Sequence, residues 1–313
     1  MANTDADYIE ISQKPAAVGR DGPERWISIR AALLPYAFIS PAILLVIAVT
    51  GYGTYYAFEY SLYEATIAAK NKFVGLANFR EIFADPASRG NIGVTILYMA
   101  AGVPSTVALG LGLALLLNQR TRFTGLFRTL LIIPWITSLV ITALLWRFIL
   151  NGDLGPVTRL IEIVGLPHIQ FLDHNWAMLS LVVASAWNGY AFSMILLLAS
   201  LQQIPETVRR AAQVDGISPW LSFRYISLPH LKPTLLIVTI IGSMHYLNMI
   251  ELPLILTGGG PGRRTEILPL RLYREAFDYY DTGTASAMAV IVFAFNVVLT
   301  ALYIFSMRRQ QHA

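Results

Sequence analysis

Six stretches of the chain stay apolar over roughly 20 residues each, near 33–58, 92–117, 126–149, 176–201, 233–256 and 284–307. At about 1.5 Å of rise per residue, such a helix crosses the hydrocarbon core of a bilayer. The runs are continuous rather than alternating, which predicts helices and argues against a transmembrane barrel. The pattern therefore predicts an all-α polytopic membrane protein with six transmembrane helices. Pro41, Pro104, Pro134 and Pro253 fall inside these runs, and a bundle tolerates them because neighbours re-satisfy the carbonyls they free. Gly110-Leu111-Gly112 predicts a surface where another helix packs closely.

One interval breaks the pattern. Between the fourth and fifth runs, residues 204–232 mix charged, small and apolar positions in helical rhythm. Pro205 suits the first turn of a helix, where its missing N–H has no partner to lose, and Glu206 complements the positive end of the helix dipole. Ile204, Val208, Ala211 and Ala212 share one face; Glu206, Arg209, Arg210 and Gln213 share the other. Asp215-Gly216 ends this helix, since glycine readily takes the left-handed conformation of a helix stop. Ser218-Pro219 then reads as an N-cap and first helical position, opening a second helix with Trp220, Phe223 and Ile226 along one side. Pro229 and Pro233 are expected to close this helix-turn-helix and lead into the fifth span. Physics alone leaves two uses open, an amphipathic hairpin on the membrane surface or a lever seated in a protein groove. The weakly apolar Ala211-Ala212 face favours the groove.

Charge sets the orientation. Charged residues make up 13% of the chain, against about a quarter in soluble domains. With both termini on the cytoplasmic side, the inside segments hold thirteen of the 23 Lys and Arg, the Arg120–Arg128 loop and Arg308-Arg309 among them. That bias puts 204–232 in the cytoplasm and the loops near 59–90, 151–175 and 257–283 outside. The expected organisation is a cytoplasmic tail over 1–32, a six-helix domain over 33–307 and a cytoplasmic tail over 308–313. The acids Asp5, Asp7, Glu10, Asp21 and Glu24 make the first segment a poor match to a cleavable signal. A net charge of +4 is small for a nucleic-acid binder, so none is expected as a partner, and zero cysteines exclude disulfides and thiolate chemistry.

Two motifs carry a resemblance. Arg210-Ala211-Ala212, Gly216, and Ile226-Ser227-Leu228-Pro229 stand at the spacing of the "EAA" loop in permease subunits of binding-protein-dependent ABC importers. Arg210 stands where that loop often has Glu, and Asp215-Gly216 matches the carbohydrate branch. Leu256-Thr257-Gly258-Gly259-Gly260-Pro261 resembles the outward signature of sugar-type permeases, of the maltose, trehalose and glycerol-3-phosphate kind. Thr265, Tyr273, Ala276-Phe277 and Gly283 follow it. The glycine triplet is not a phosphate loop, because no Gly-Lys-Ser/Thr follows and no strand precedes it.

The resemblance implies the type I importer permease fold with its cytoplasmic coupling loop. It implies a working unit of two permease subunits, two ATPase subunits and an extracytoplasmic solute-binding protein in a bacterial inner membrane. A heterodimer with a second permease is expected. No Walker A sequence is present, so ATP and Mg would belong to the partner ATPase, with no cofactor or catalytic residue in this chain. Pro205, Glu206, Arg209, Arg210, Ala211, Ala212, Asp215, Gly216 and Trp220 are the expected coupling residues.

A transport path needs polar and aromatic groups buried among the spans. Trp187, Asn188 and Tyr190 in the fourth span and Tyr246, Asn248 and Glu251 in the fifth are the candidates, with Asn296 in the sixth. Glu251 stands out because an ionisable group within a span is costly and points to function. His245 is expected to pack or hydrogen-bond, since no second ligand is spaced to hold a metal with it. Arg147 is expected to snorkel to the headgroups. Two other classes compete. A secondary transporter or channel would need coupling carboxylates in several spans, and only Glu251 qualifies. A membrane enzyme would need a motif such as HExxH or Gly-x-Ser-x-Gly, and none occurs.

Overall fold

The computed structural model describes residues 24–67, 69–119 and 123–311, with side chains described over 35–307. The expected N-terminal tail up to residue 23, Arg120 and Arg122, and the last two residues lie outside the described residues. The chain divides into two units, Met1–Tyr55 and Tyr56–Ala313. The first unit is described by helix α1 (Glu24–Tyr60), which begins before the apolar run and carries Pro35 and Pro41. Its side chains, Phe38, Leu44, Leu45 and Val49 among them, are exposed, as suits a surface solvated by lipid.

The second unit opens with a short antiparallel hairpin, β1 (Tyr63–Ala65) and β2 (Lys70–Phe73), a local exception to the helical expectation. Glu59 and the Tyr63 ring hold Lys70, whose Nζ lies 2.5 Å from the carboxylate and 3.8 Å from the ring centroid. Helix α2 (Ala77–Ala84) packs under the hairpin, with Asn78 Nδ2 donating to the Ser61 and Tyr63 carbonyls at 2.9 and 3.0 Å. Asp85 then caps α3 (Pro86–Leu117), accepting from the Ala87 and Ser88 amides.

Next come α4 (Thr124–Ile136), α5 (Leu139–Ile149), α6 (Pro156–Ile163) and α7 (Ala177–Gln202). Helices α3 and α7 form the centre of the unit. They approach so closely at Gly110 that a Cβ there would sit 2.6 Å from Ser193 Cβ and 2.9 Å from the Met194 nitrogen. Gly112 faces open space, so one glycine of the expected pair makes the contact. Apolar burial gathers around Tyr98, Val103, Leu181, Tyr246, Leu252 and Ile267, where close van der Waals packing holds the spans together.

Two expected spans differ from a single straight helix. The third is a pair, α4 and α5, bent by 97° at Thr137-Ser138. Pro134 has no N–H to bond back to the Leu130 carbonyl, and its own carbonyl, next to the break, accepts from Asn188 Nδ2. The fifth begins earlier and ends earlier than its apolar run. A helical stretch over Pro219–Asn248 comprises α9 (Pro219–Ser222), a π turn (Phe223–Ser227) and α10 (Leu228–Asn248). The chain then extends at Met249 and resumes in a second π turn, Pro253–Thr257. Pro229 and Pro233, expected to separate the insert from the span, lie inside this stretch. The wider π turn just before Pro229 shifts the carbonyls its ring would strike. Helices α8 (Glu206–Val214), α11 (Leu268–Phe277) and α12 (Thr282–Gln311) complete the unit. Among the described residues, five helices are individually long and apolar enough to span a membrane, and six spans result if the bent pair counts as one.

Candidate functional site

The insert over 204–232 is a helix, a glycine corner and a second helix. Pro205 occupies the N-cap of α8, with φ −57° and ψ 138°, rather than its first helical position. Gly216, at φ +68°, turns the chain. The Ile217 amide donates to the Ala212 carbonyl at 3.0 Å and the Gly216 amide to that of Gln213 at 3.1 Å. This pair of bonds satisfies carbonyls that a helix end leaves free. Ser218 caps α9, its Oγ accepting from the Leu221 amide.

Ala212 is buried and Ala211 exposed, so α8 rests on one small residue rather than on an apolar stripe. Arg209 donates to the Leu201 carbonyl at 2.5 Å, tying α8 to the end of α7. Arg210, standing in the position of the usual acid, lies 3.6 Å from Glu206 one turn earlier. Beyond this pairing the insert presents apolar groups outward: Val214 at the end of α8 is 87% exposed, and Trp220 of α9 and Tyr225 of the π turn are 63% and 69% exposed. Nothing within the described chain covers these side chains.

The second helix leads straight to a cavity of about 330 Å³ among the spans. Val238, Ile241, Gly242, His245 and Tyr246 of α10 form one wall. Trp135 of α4, Thr106 of α3, and Asn188 and Phe192 of α7 form the others. Asn188 donates its Nδ2 to the Pro134 carbonyl at 2.8 Å, so it both holds the α4 elbow and lines the cavity. The Tyr246 hydroxyl shares a 2.8 Å hydrogen bond with Thr106. Trp135 and Phe192 stand with ring centroids 5.8 Å apart. No Asp, Glu, Lys or Arg lies on the described lining.

Of the expected path residues, Asn188 and Tyr246 meet here and four do not. Trp187 packs edge-on against Trp146, and Tyr190 is buried outside the lining. Asn248 pairs with Asn296 at 3.2 Å, joining α10 to α12. Glu251 is the first residue of the helical segment that resumes after the break, exposed, its Oε2 accepting from the Ile250 amide. His245, expected to pack or hydrogen-bond, faces the cavity, and no described residue hydrogen-bonds it. Arg147 donates to the Ile255 carbonyl. Thr106, Trp135 and Phe192 had no sequence signal beyond lying in apolar runs.

At the far end, the glycine-rich segment is a built turn. Gly258 and Gly259 both have positive φ, at 59° and 76°, and the Gly260-Pro261 bond is cis. Thr265 bonds Thr257 and the Gly260 carbonyl, and Arg274 bonds the Gly258 carbonyl. Glu266 lies fully buried beneath it, paired with Arg263 and Arg274 and accepting from Asn91 of α3.

Residues 106–312 match the family described as binding-protein-dependent transport system inner membrane component. The sulfoquinovosyl glycerol transport permease SmoG of Agrobacterium fabrum is 31% identical, over 90% of this chain and 92% of its own. The trehalose/maltose transport permease MalF of Thermococcus litoralis is also 31% identical, over 88% and 94%. A chain of a bacterial alginate ABC transporter, solved in complex with an alginate pentasaccharide-bound periplasmic protein, superposes with a TM-score of 0.78. It is 22% identical and is matched over 91% of this chain and 97% of its own. The helix–corner–helix insert, the cavity and the glycine turn thus sit in a chain that belongs to the binding-protein-dependent inner membrane components, the non-catalytic permease subunits of ABC importers.

Proposed function

We propose that this permease carries a sugar or sugar-like solute through the cavity of α3, α4, α7 and α10, driven through the α8–Gly216–α9 lever. One observation carries the reading: the helical stretch that begins at Pro219, beside the corner, runs on to His245 and Tyr246 in the cavity wall. A displacement of the corner therefore reaches the cavity without crossing a loop. ATP can drive such a shift only by favouring one of two states. The separate ATPase supplies that difference by seating α8, with Val214 and Trp220 as the apolar contacts. ATP and Mg act there, on the partner.

The cavity offers aromatic faces, hydroxyls and an amide, the groups that suit the apolar faces and hydroxyls of a sugar ring. The names of the relatives, a sulfoquinovosyl glycerol and a trehalose/maltose permease, support that class. The working assembly is then a second permease subunit, two ATPase subunits and an extracytoplasmic solute-binding protein in a bacterial inner membrane. The termini and the α8 lever face the cytoplasm, as the arginine distribution supports.

The absence of native cysteine gives a clean test. Val214→Cys and Trp220→Cys are expected to crosslink to the copurified ATPase, and Leu166→Cys in the opposite loop is not. Crosslinking from Leu166 alone would place the lever on the wrong side.

A further inference from the structure

A second cavity, of about 560 Å³, opens where α3 and α7 end and α8 begins. Asn118, Gln119, Arg128, Gln202, Glu206 and Arg209 supply its polar lining. Arg128 has no ion pair among the described residues, and its Nε–H is buried without an acceptor. A buried guanidinium donor left unpaired is costly. Arg209 spends one donor on the Leu201 carbonyl. The single carboxylate of the lining, Glu206, is engaged with Arg210 outside it. The site therefore presents two arginines, amides and excess positive charge, a donor set that matches phosphate oxygens.

Its surroundings identify the source of that phosphate. Thr124 and Arg128, one turn apart, face the cavity. Phe123, Leu126, Phe127 and Leu130 beside them are all at least half exposed. A helix with one basic, polar edge and exposed Phe and Leu lies well among headgroups and upper acyl chains. We propose that this cavity seats the phosphate of an anionic phospholipid, with Arg128 as its principal ligand and Arg209 as the second, and with the acyl chains along α4. Because α8 contributes Arg209, the bound lipid ties the lever to the ends of α3 and α4. Its effect on ATP hydrolysis rests on the coupling role of α8; its retention does not.

The test uses the complete transporter in nanodiscs of phosphatidylcholine, alone or mixed with phosphatidylglycerol. In native mass spectrometry the wild type is expected to retain phosphatidylglycerol. Arg128→Gln should retain it about fivefold less, and Arg128→Lys should keep part of it. Solute-binding-protein-stimulated ATP hydrolysis should rise with phosphatidylglycerol in the wild type and not in Arg128→Gln. Equal retention by wild type and Arg128→Gln overturns the site. Loss of the lipid with hydrolysis unaffected overturns its regulatory role alone. Inorganic phosphate raising hydrolysis in phosphatidylcholine discs overturns the lipid as the source, leaving a free-anion site.

Discussion

The ring of Tyr246 lies directly on Gly102: a Cβ at that glycine would stand 2.0 Å from Tyr246 Cε1. The contact pins α10 to α3 while the Tyr246 hydroxyl, bonded to Thr106, borders the cavity. Gly102→Ala therefore has to push the ring out of place, and overpacking of this kind costs about 1–3 kcal/mol. Uptake by the reconstituted transporter is expected to fall about tenfold, and the thermal midpoint in detergent should drop. Gly102→Ala with Tyr246→Leu should recover the midpoint and not the uptake. Normal uptake by the single variant would show that the ring does not shape the path.

Gly216 tests the lever. Its φ is +68°, and no atom lies within 4 Å of the place a Cβ would take, so backbone angle and not space demands the glycine. A β-branched residue there meets the left-handed penalty of about 1–2 kcal/mol, which Asn largely escapes. Gly216→Val should leave assembly with the ATPase detectable while uptake falls at least tenfold relative to ATP hydrolysed. Gly216→Asn should stay near wild type. Transport by the Val variant at the wild-type ratio would remove the corner from the mechanism.

The two glycine positions were legible in the sequence because a left-handed turn and a close helix contact both need the residue without a Cβ. Gly216 and Gly110 fill those roles in the structure. The helical character of the apolar runs was equally legible, since five described helices have the length and apolarity of a span and the bent pair makes a sixth if it counts as one. The 97° elbow was not, because Pro134 is compatible with a straight span as well as a broken one. The break at Met249 was hidden for a related reason: the residues around it stay apolar while the backbone extends. Pro229 and Pro233 misled in the opposite direction, since a π turn let the helix continue. The cavity was half legible. Asn188 and Tyr246 stand out as polar groups in apolar runs, whereas Trp135 and Phe192 are apolar residues in apolar runs and carry no such signal.

His245 gives the cavity a testable polar contact. Its ring faces the lining with no hydrogen bond from the described residues, so a solute hydroxyl can use it. His245→Ala is expected to raise the KM for uptake about tenfold, the loss of roughly one hydrogen bond to a buried partner. His245→Gln, with a donor and an acceptor, should recover most of it. An unchanged KM in the Ala variant would return His245 to packing.

Asp85 carries a pH dependence outside the spans. Bonds from the Ser88 hydroxyl and the Ala87 and Ser88 amides hold its carboxyl below the ordinary 3.8. A depressed carboxylate stabilises the fold above its unfolded value and loses that contribution as pH falls through its folded value. Asp85→Ala should lower stability by about 1 kcal/mol at neutral pH. The gap between variant and wild type should close only below pH 3.8. Thermal unfolding in detergent across that range checks it, and a gap independent of pH would assign the loss to packing.

The buried Glu266 makes the largest stability prediction. It sits 0% exposed between Arg263 and Arg274, and Asn91 reaches it from α3 across 175 residues of sequence. Removing one member of a buried pair costs about 3–5 kcal/mol where nothing compensates the charge left behind, and Arg263, 3.5 Å from Glu266, holds the cost toward the lower end. Arg274→Met strips both the ion pair and the bond to the Gly258 carbonyl, and should destabilise the outer turn by that order. Glu266→Gln, which keeps a carbonyl acceptor for Asn91, should cost less than Arg274→Met. Because α11 and the turn meet α3 through this cluster, protease cleavage within 257–267 should rise in step with the loss of stability. Equal resistance in the wild type and Arg274→Met would mean that the glycine turn holds its shape through Thr265 and its own backbone alone.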